Sequence, residues 1–333
     1  MPEAPEVEEI TSVWTCFVLR SGDKKLSHAE REEVPQLLAD GARMWIDIEA
    51  PTEADTEWLA DTFGFHDLSL IDVLNDDVRP KQESYDDVLF TVLGAVNLNP
   101  GEDALKTINL NIFLTADYVV STHSKPLKTT RRVSQALKRR GAWLTLGTDH
   151  LYYRLLDGVV NRYLDILDEM EDHFDEIEHK VFKTDDRSVQ ESIFREKRRC
   201  AYLKRSIGPT RDAVRELVYG SFAQIKPETQ TLLRDVLDHV MRISDGIESY
   251  RELAGGLMDS YMSQISNRMN EVMKLMSIIA TVMLPLSFLT GIFGMNFDVI
   301  PGIHFEHGFW VLCIFMIGLI GMLLWYFRRS RIL

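Results

Sequence analysis

The chain has 333 residues, enough for about two domains. Hydrophobic residues make up 45% and charged residues 26%, which excludes an intrinsically disordered chain. Asp and Glu number 51 against 37 Lys and Arg, a net charge of −14, so the balance is wrong for a general nucleic-acid binder and natural for a protein that meets cations.

In chain order, the opening MPEAPEVEEI is acidic and has no apolar core, so no secretory signal is expected. Residues 14–19 and 44–48 read as strands, and 53–63 as a helix with Thr52 as N-cap and Gly64 after its end. Residues 88–96, 107–114 and 118–121 are β-rich runs separated by turn signals that include Asn99-Pro100-Gly101. Residues 1–125 are therefore expected to form a cytosolic α/β domain and 126–272 a helical cytosolic domain. Helical patterns cover 150–182 and 188–219, the second interrupted or bent near Gly208-Pro209. The first carries Asp165, Asp168, Glu169, Glu171, Asp172, Asp175, Glu176 and Glu178, which fit a solvated face or a diffuse cation-attracting surface. The second carries Arg195, Lys197, Arg198, Arg199, Lys204 and Arg205. The opposite signs suggest an antiparallel pair whose exposed ion pairs add about 0.2–1 kcal/mol each. Cys16, Cys200 and Cys313 form no CxxC pair, which argues against a disulfide framework or zinc knuckle.

No proline falls between Pro227 and Pro285, and a continuous helix over that stretch would be about 85 Å long. Gly246, Gly255 and Gly256 weaken it by about 1 kcal/mol each against Ala and point to close packing. Charge then vanishes over 275–297 and again over 308–327. Each run is long enough to cross a hydrocarbon core of about 30 Å. The expected layout is transmembrane helix 273–297, outer loop 298–307, transmembrane helix 308–327 and basic tail 328–333. Arg268 and Lys274 precede the first span, Arg328, Arg329 and Arg331 follow the second, and the loop carries no Lys or Arg. The positive-inside rule places both termini in the cytoplasm, with the protein in the cell's inner (plasma) membrane. Trp310, Trp325 and Tyr326 suit an aromatic belt against membrane lipids. The expected fold class is an α+β membrane protein, in which a long stalk helix continues from the cytosolic part into the first of two C-terminal spans.

Steps of three and four along the stalk pick out Asp259, Ser263, Ser266, Asn270, Met273, Ser277, Ala280, Leu284, Ser287 and Gly291. A sustained step of 3.5 describes a seam facing parallel copies of the same helix. Two arrangements fit a small, polar seam: tight helix packing or the wall of a pore. Asp259 and Asn270 at the inner mouth and Asn296 at the far end favour the pore. One such span cannot enclose a path, so a pore needs a closed ring of copies. Met273, Leu284 and Met276 are placed to form apolar constrictions. No GxxxxGK[ST] loop and no nucleophile–base set is found, so no enzyme is expected.

The first span ends in Gly291-Ile292-Phe293-Gly294-Met295-Asn296-Phe297. With two spans and a basic tail, this segment resembles the CorA family of divalent-cation channels, within the two-transmembrane Gly-Met-Asn superfamily. The likeness extends to SNRMNEVMK and LPLSFLTGIFGMNF within 261–297, to Arg234-Asp235-Val236-Leu237-Asp238-His239, and to Leu70-Ile71-Asp72-Val73-Leu74 with Arg79-Pro80-Lys81. It implies a homopentameric channel for Mg2+ that also passes Co2+ or Ni2+. It implies an outer selectivity ring of Asn296 presented by Gly294 and Met295, with hydrated-ion stations at Asp259 and Asn270. It further implies a regulatory Mg2+ held between Asp72 of one subunit and Asp235 of the next. A ring of neutral amides suits Mg2+, which sheds water reluctantly and must be released to conduct. Two departures stand out. Ile71 lies beside Asp72 where family members often carry a second acid. The loop DVIPGIHFEHG has Gly302 where many magnesium channels have glutamate; its Ile-Pro-Gly is similar to the zinc-transporting branch, and His304 and His307 are candidate zinc ligands. The alternatives are therefore a zinc or broad divalent-cation transporter, with or without proton coupling, and a non-transporting membrane scaffold.

Overall fold

The computed structural model describes residues 12–20, 22–23, 25–97, 105–140, 142–183, 187–295 and 306–330. Asn296, His304, Arg331, the acidic N-terminal stretch and the Asn99-Pro100-Gly101 turn lie outside the described residues. The chain divides into two compact units, Met1–Met258 and Asp259–Leu333.

The first unit opens with β1 (Val13–Leu19), β2 (Ser27–His28), α1 (Val34–Ala39) and β3 (Arg43–Glu49). There follow α2 (Glu53–Phe63), α3 (Asp67–Leu74), β4 (Lys81–Tyr85), β5 (Val88–Asn97), β6 (Lys106–Leu114) and β7 (Tyr118–His123). Helices then take over: α4 (Lys128–Arg140), α5 (Ala142–Leu146), α6 (Thr148–Lys183), α7 (Arg187–Tyr219) and α8 (Pro227–Phe293). The strands form one sheet in the order β2-β1-β3-β7-β6-β5-β4. Within it β3 and β7 run parallel, Met44 to Glu49 opposite Tyr118 to His123, and the remaining neighbours run antiparallel.

Period-two alternation assigns the two faces of the sheet. Cys16, Val18, Met44, Ile46, Ile48, Phe90, Val92, Phe113 and Val120 form one apolar core with Val34, Leu37, Leu59, Leu70 and Val73 of α1, α2 and α3. On the other face Tyr152 and Tyr163 of α6 reach the sheet. The Tyr152 hydroxyl lies 2.7 Å from Thr91 Oγ1, and the Tyr163 hydroxyl donates to the Gly94 carbonyl at 2.6 Å. Close approach fixes Gly94: a Cβ there would lie 2.5 Å from Ser206 Oγ and 2.9 Å from Thr107 Cγ2. Gly94→Val is therefore expected to destabilise the unit by about 1–3 kcal/mol, measured as a lowered thermal-unfolding midpoint of the detergent-solubilised protein.

A buried polar row crosses the β3–β7 pair. Trp45 Nε1 donates to Ser121 Oγ, Ser121 donates to Asp47, and Asp47 Oδ2 lies 3.4 Å from His123 Nε2. Burial disfavours the charged imidazole. The Asp47 hydrogen bond and charge, the Lys125 carbonyl and Glu49 outweigh it, so the His123 pKa is raised. A raised folded-state pKa means that this pair's stabilisation is complete below about pH 6.5 and is lost as pH climbs through the folded value. The gap in melting temperature between wild type and Asp47→Asn should accordingly be widest in acid and narrow as pH rises.

Helix α2 starts and stops as the sequence expects. Thr52 and Asp55 form a reciprocal capping box, and Gly64 closes the helix at φ 67°. Helix α7 is continuous through Pro209, so the interruption that the sequence suggests there, as one of two alternatives with a bend, does not occur. Its apolar face is buried on both sides of the proline, by Leu203 and Ile207 before it and Val214, Leu217 and Val218 after it. That burial outweighs the roughly 3 kcal/mol a mid-helix proline costs. Among the described residues no ion pair joins an acid of α6 to a Lys or Arg of α7; Arg199 Nη1 instead meets His173 of α6 at 3.0 Å. Lys204 pairs with Glu248 of α8, Arg199 with Glu196 of its own helix, and Asp165 with Arg162 and Arg132. Most of the acidic face of α6 is exposed to solvent. Glu196 is the charge buried between α6 and α7, with His173 Nδ1 at 3.3 Å.

In the first unit α8 buries Leu233, Val236, Leu237, Val240, Ile243, Ile247, Ala254 and Leu257. Gly246 permits contact with Leu167, whose Cδ1 would sit 3.4 Å from a Cβ, whereas a Cβ at Gly255 or Gly256 would meet nothing within 4 Å among the described residues. Tyr250 stacks on Phe174 of α6 at 5.3 Å. In the second unit the rest of α8 is accompanied by α9 (Gly308–Arg329). Both helices are long and apolar enough to cross a membrane, with windows of mean hydropathy 2.0 and 2.3.

Candidate ion path and cation-sensing site

Asp259, Ser263, Ser266, Asn270, Met273, Ser277, Ala280, Leu284, Ser287 and Gly291 are all exposed in the single chain. Ile278, Val282, Pro285, Leu286, Leu289 and Ile292 are half-buried instead. Helix α9 has a matching half-buried stripe, Leu312, Cys313, Met316, Leu319, Ile320 and Leu323, ending at buried Phe327. At 100° per residue, the mean direction of Ser277, Ala280, Leu284, Ser287 and Gly291 lies about 150° from that of the half-buried stripe of α8. The small and polar seam is therefore on the opposite side of α8 from its half-buried stripe. Met273 is 62% exposed, Met276 58% and Leu284 72%, so none of the three is held by packing within the chain. Pro285 sits inside the helix; Thr281 Oγ1 donates to the Ser277 carbonyl and Thr290 Oγ1 to the Leu286 carbonyl on either side of it. Gly294 and Met295 follow as a turn, with Gly294 N–H donating to the Thr290 carbonyl at 2.9 Å. Asn296, the next residue, is outside the described region.

Asp72 and Asp235 lie on α3 and α8, and no hydrogen bond or ion pair joins them within one chain. Asp72 stands near the C-terminal end of α3, where Asn75 N–H donates to its backbone carbonyl. Its Oδ2 lies 2.7 Å from Lys81 Nζ, and Lys81 is also 3.0 Å from Glu83 Oε2. Burial opposes the Lys81 charge, but the hydrogen bonds and charges of Asp72 and Glu83 outweigh it and raise its pKa. Asp235 is exposed and has His239 Nε2 at 4.0 Å. Beside it on α6, burial pushes the Asp157 carboxyl up, against the pull of Arg154 and His239, and Asp235 adds to the rise.

The exposed apolar residues of α3 are not evident in the sequence. Leu68, Ile71 and Leu74 are all exposed and flank Asp72 at steps of three. Such a row has no covering partner among the described residues. Among the described residues no group of three His, Cys, Asp or Glu is placed to hold a metal. The chemistry available is that of single carboxylates, amides and hydroxyls, oxygen donors that suit a hard, hydrated dication. One of them, Asp72 Oδ2, is buried, with the Lys81 ammonium 2.7 Å away as its ionic partner.

A sequence profile of the CorA-like Mg2+ transporter family matches residues 40–329, and the chain belongs to that family. It is a membrane protein of divalent-cation transport and not an enzyme. It is 31% identical over 289 residues to the cobalt/magnesium transport protein CorA of Thermotoga maritima, covering 86% of this chain and 82% of that protein. The zinc transport protein ZntB of Pectobacterium atrosepticum is 22% identical over 297 residues, covering 86% and 87%. The fold matches the complete structure of the CorA magnesium transporter from Methanocaldococcus jannaschii with a TM-score of 0.84 at 24% identity, over 96% of this chain and 99% of that one.

Proposed function

We propose that the chain forms a homopentameric channel in the cell's inner membrane, with both termini cytoplasmic. It carries Mg2+, and also Co2+ or Ni2+, inward and is restrained by cytosolic Mg2+. The observation that carries this is the seam of α8: ten exposed residues, small and polar in the main, of which those from Ser277 to Gly291 lie opposite the helix's own half-buried stripe. Five such seams around an axis form a wall along which a hydrated ion passes. Asn296 amides at the outer end hydrogen-bond the ion's water without stripping it, Gly294 and Met295 present them, and Asn270 and Asp259 are inner stations. Ser277, Ser287 and Gly291 line the path, and Met273, Met276 and Leu284 narrow it to apolar rings that close by dewetting. The membrane potential supplies the drive, about 4.6 kcal/mol for a divalent ion per 100 mV.

Asp72 and Asp235 meet between neighbouring subunits, where a divalent cation neutralises two carboxylates that otherwise repel. The exposed Leu68, Ile71 and Leu74 fit this placement, because a neighbouring copy would cover them. When cytosolic Mg2+ falls, the restraint is lost and the ring opens. Asp235→Lys puts an ammonium in place of that carboxylate, and Mg2+-dependent protection from proteolysis should disappear; full protection in the variant would contradict the regulatory role.

The ZntB relatives and the Ile-Pro-Gly loop favour zinc as the second reading. Uptake into proteoliposomes, with Mg2+ and Zn2+ compared at fixed voltage and fixed pH gradient, separates the two. Voltage-driven Mg2+ flux is the expected result. Zn2+ flux that requires a proton gradient would replace it with the second reading, and absence of any divalent flux would remove both.

A further inference from the structure

The carboxylate of Asp72 is already occupied. Its side chain is 16% exposed, and its Oδ2 faces the Lys81 ammonium at 2.7 Å. Lys81 opens β4, pinned opposite Val92 of β5, and Glu83 lies two residues on, on the same face of the strand. Glu83 Oε2 is 3.0 Å from the same ammonium and accepts a hydrogen bond from the Tyr85 hydroxyl at 2.8 Å. One flexible ammonium therefore has two carboxylates within reach, the Glu83 side chain being the more exposed of the two at 36%.

We propose that Lys81 is a tethered competitor for the divalent cation at Asp72, holding that carboxylate when the cation is absent and withdrawing to Glu83 when it binds. This rests on the assignment of Asp72 and Asp235 to a regulatory cation site. A dication and an ammonium cannot share one oxygen of a half-buried carboxylate, because like charges a few ångströms apart repel strongly there. Binding is thus an exchange, and the Mg2+ concentration at which the subunits lock is set by how firmly Lys81 holds on. Glu83 eases the withdrawal. The two residues consequently act with opposite signs, which two residues that merely stabilise the fold would not do.

The test is limited proteolysis of the full-length protein in lipid nanodiscs across a Mg2+ titration. Lys81→Met, which keeps the apolar stem, should lower the protection midpoint about tenfold, and Glu83→Gln should raise it about fivefold. As a second readout, acetylation of Lys81 by an amine-reactive ester, followed by mass spectrometry, should increase with Mg2+ in wild type and not in Asp235→Asn. Mg2+-dependent protection that survives in both Asp72→Asn and Asp235→Asn would remove the regulatory site itself. Protection lost in those variants, with the Lys81→Met midpoint unmoved or raised, would overturn the role of Lys81 alone. Should Lys81→Met fail to fold, Glu83→Gln and the labelling of wild type decide: an unmoved or lowered midpoint, or labelling indifferent to Mg2+, overturns the proposal.

Discussion

Mg2+ flux into proteoliposomes should fall on the order of a hundredfold or more when Asn296 is replaced by alanine. The amide is proposed to replace bulk water around an ion that keeps its own hydration shell. Each hydrogen bond of this kind contributes about 0.5–1.5 kcal/mol. One substitution removes a donor–acceptor group from every subunit of the ring at once, so several such terms are lost together. At about 1.4 kcal/mol per tenfold in rate, two or three of them suffice for a hundredfold effect. The substitution leaves the proposed sensing carboxylates Asp72 and Asp235 untouched. The variant should therefore keep its Mg2+-dependent protease protection. Unchanged flux would show that Asn296 is not the selectivity ring.

Leu284→Ser and Met273→Ser should do the reverse and raise Mg2+ leak, measured at saturating internal Mg2+, by at least about tenfold. An apolar ring closes a narrow path because water leaves it, and hydroxyls allow water to stay. Removing about 1.4 kcal/mol of that barrier gives the tenfold change. Leu284 is 72% exposed within its own chain and Met273 62%, so neither substitution opens a cavity in the protomer. A changed leak then reports on the path rather than on the fold. No change in either variant would place the constriction elsewhere.

Much of this architecture is legible in the residues because its signals are local. Thr52 with Asp55, and Gly64 at positive φ, bound α2 at the expected residues. The β-rich runs become β5, β6 and β7 within one or two residues at each end. The absence of proline after Pro227 and the loss of charge at Leu275 announce α8 and its apolar end. What escaped depends on tertiary partners. Pro209 looks like a break until the burial of Leu203, Ile207, Val214 and Leu217 is known. The charges of α6 and α7 suggest mutual pairing, but Lys204 finds Glu248 on α8 and Arg199 finds Glu196 on its own helix. The exposure of Leu68, Ile71 and Leu74, and the hold of Lys81 on Asp72, arise from how α3 and β4 pack, which no local pattern encodes. The proposed ion path is legible only as a seam, since one span cannot enclose a passage.

Cysteine accessibility along α8 tests that seam most directly. In a Cys313→Ser background, where Cys16 and Cys200 are buried, single cysteines are placed at Ser277, Ser287 and, for comparison, Ile279 and Leu286. A water-soluble thiosulfonate applied to the protein in nanodiscs should modify the positions at Ser277 and Ser287, and Mg2+ should slow that reaction. Those at Ile279 and Leu286, on the other side of the helix, should stay unmodified. Unreactive cysteines at both serine positions, with modification at Ile279 or Leu286, would contradict a water-filled passage lined by this face of the helix.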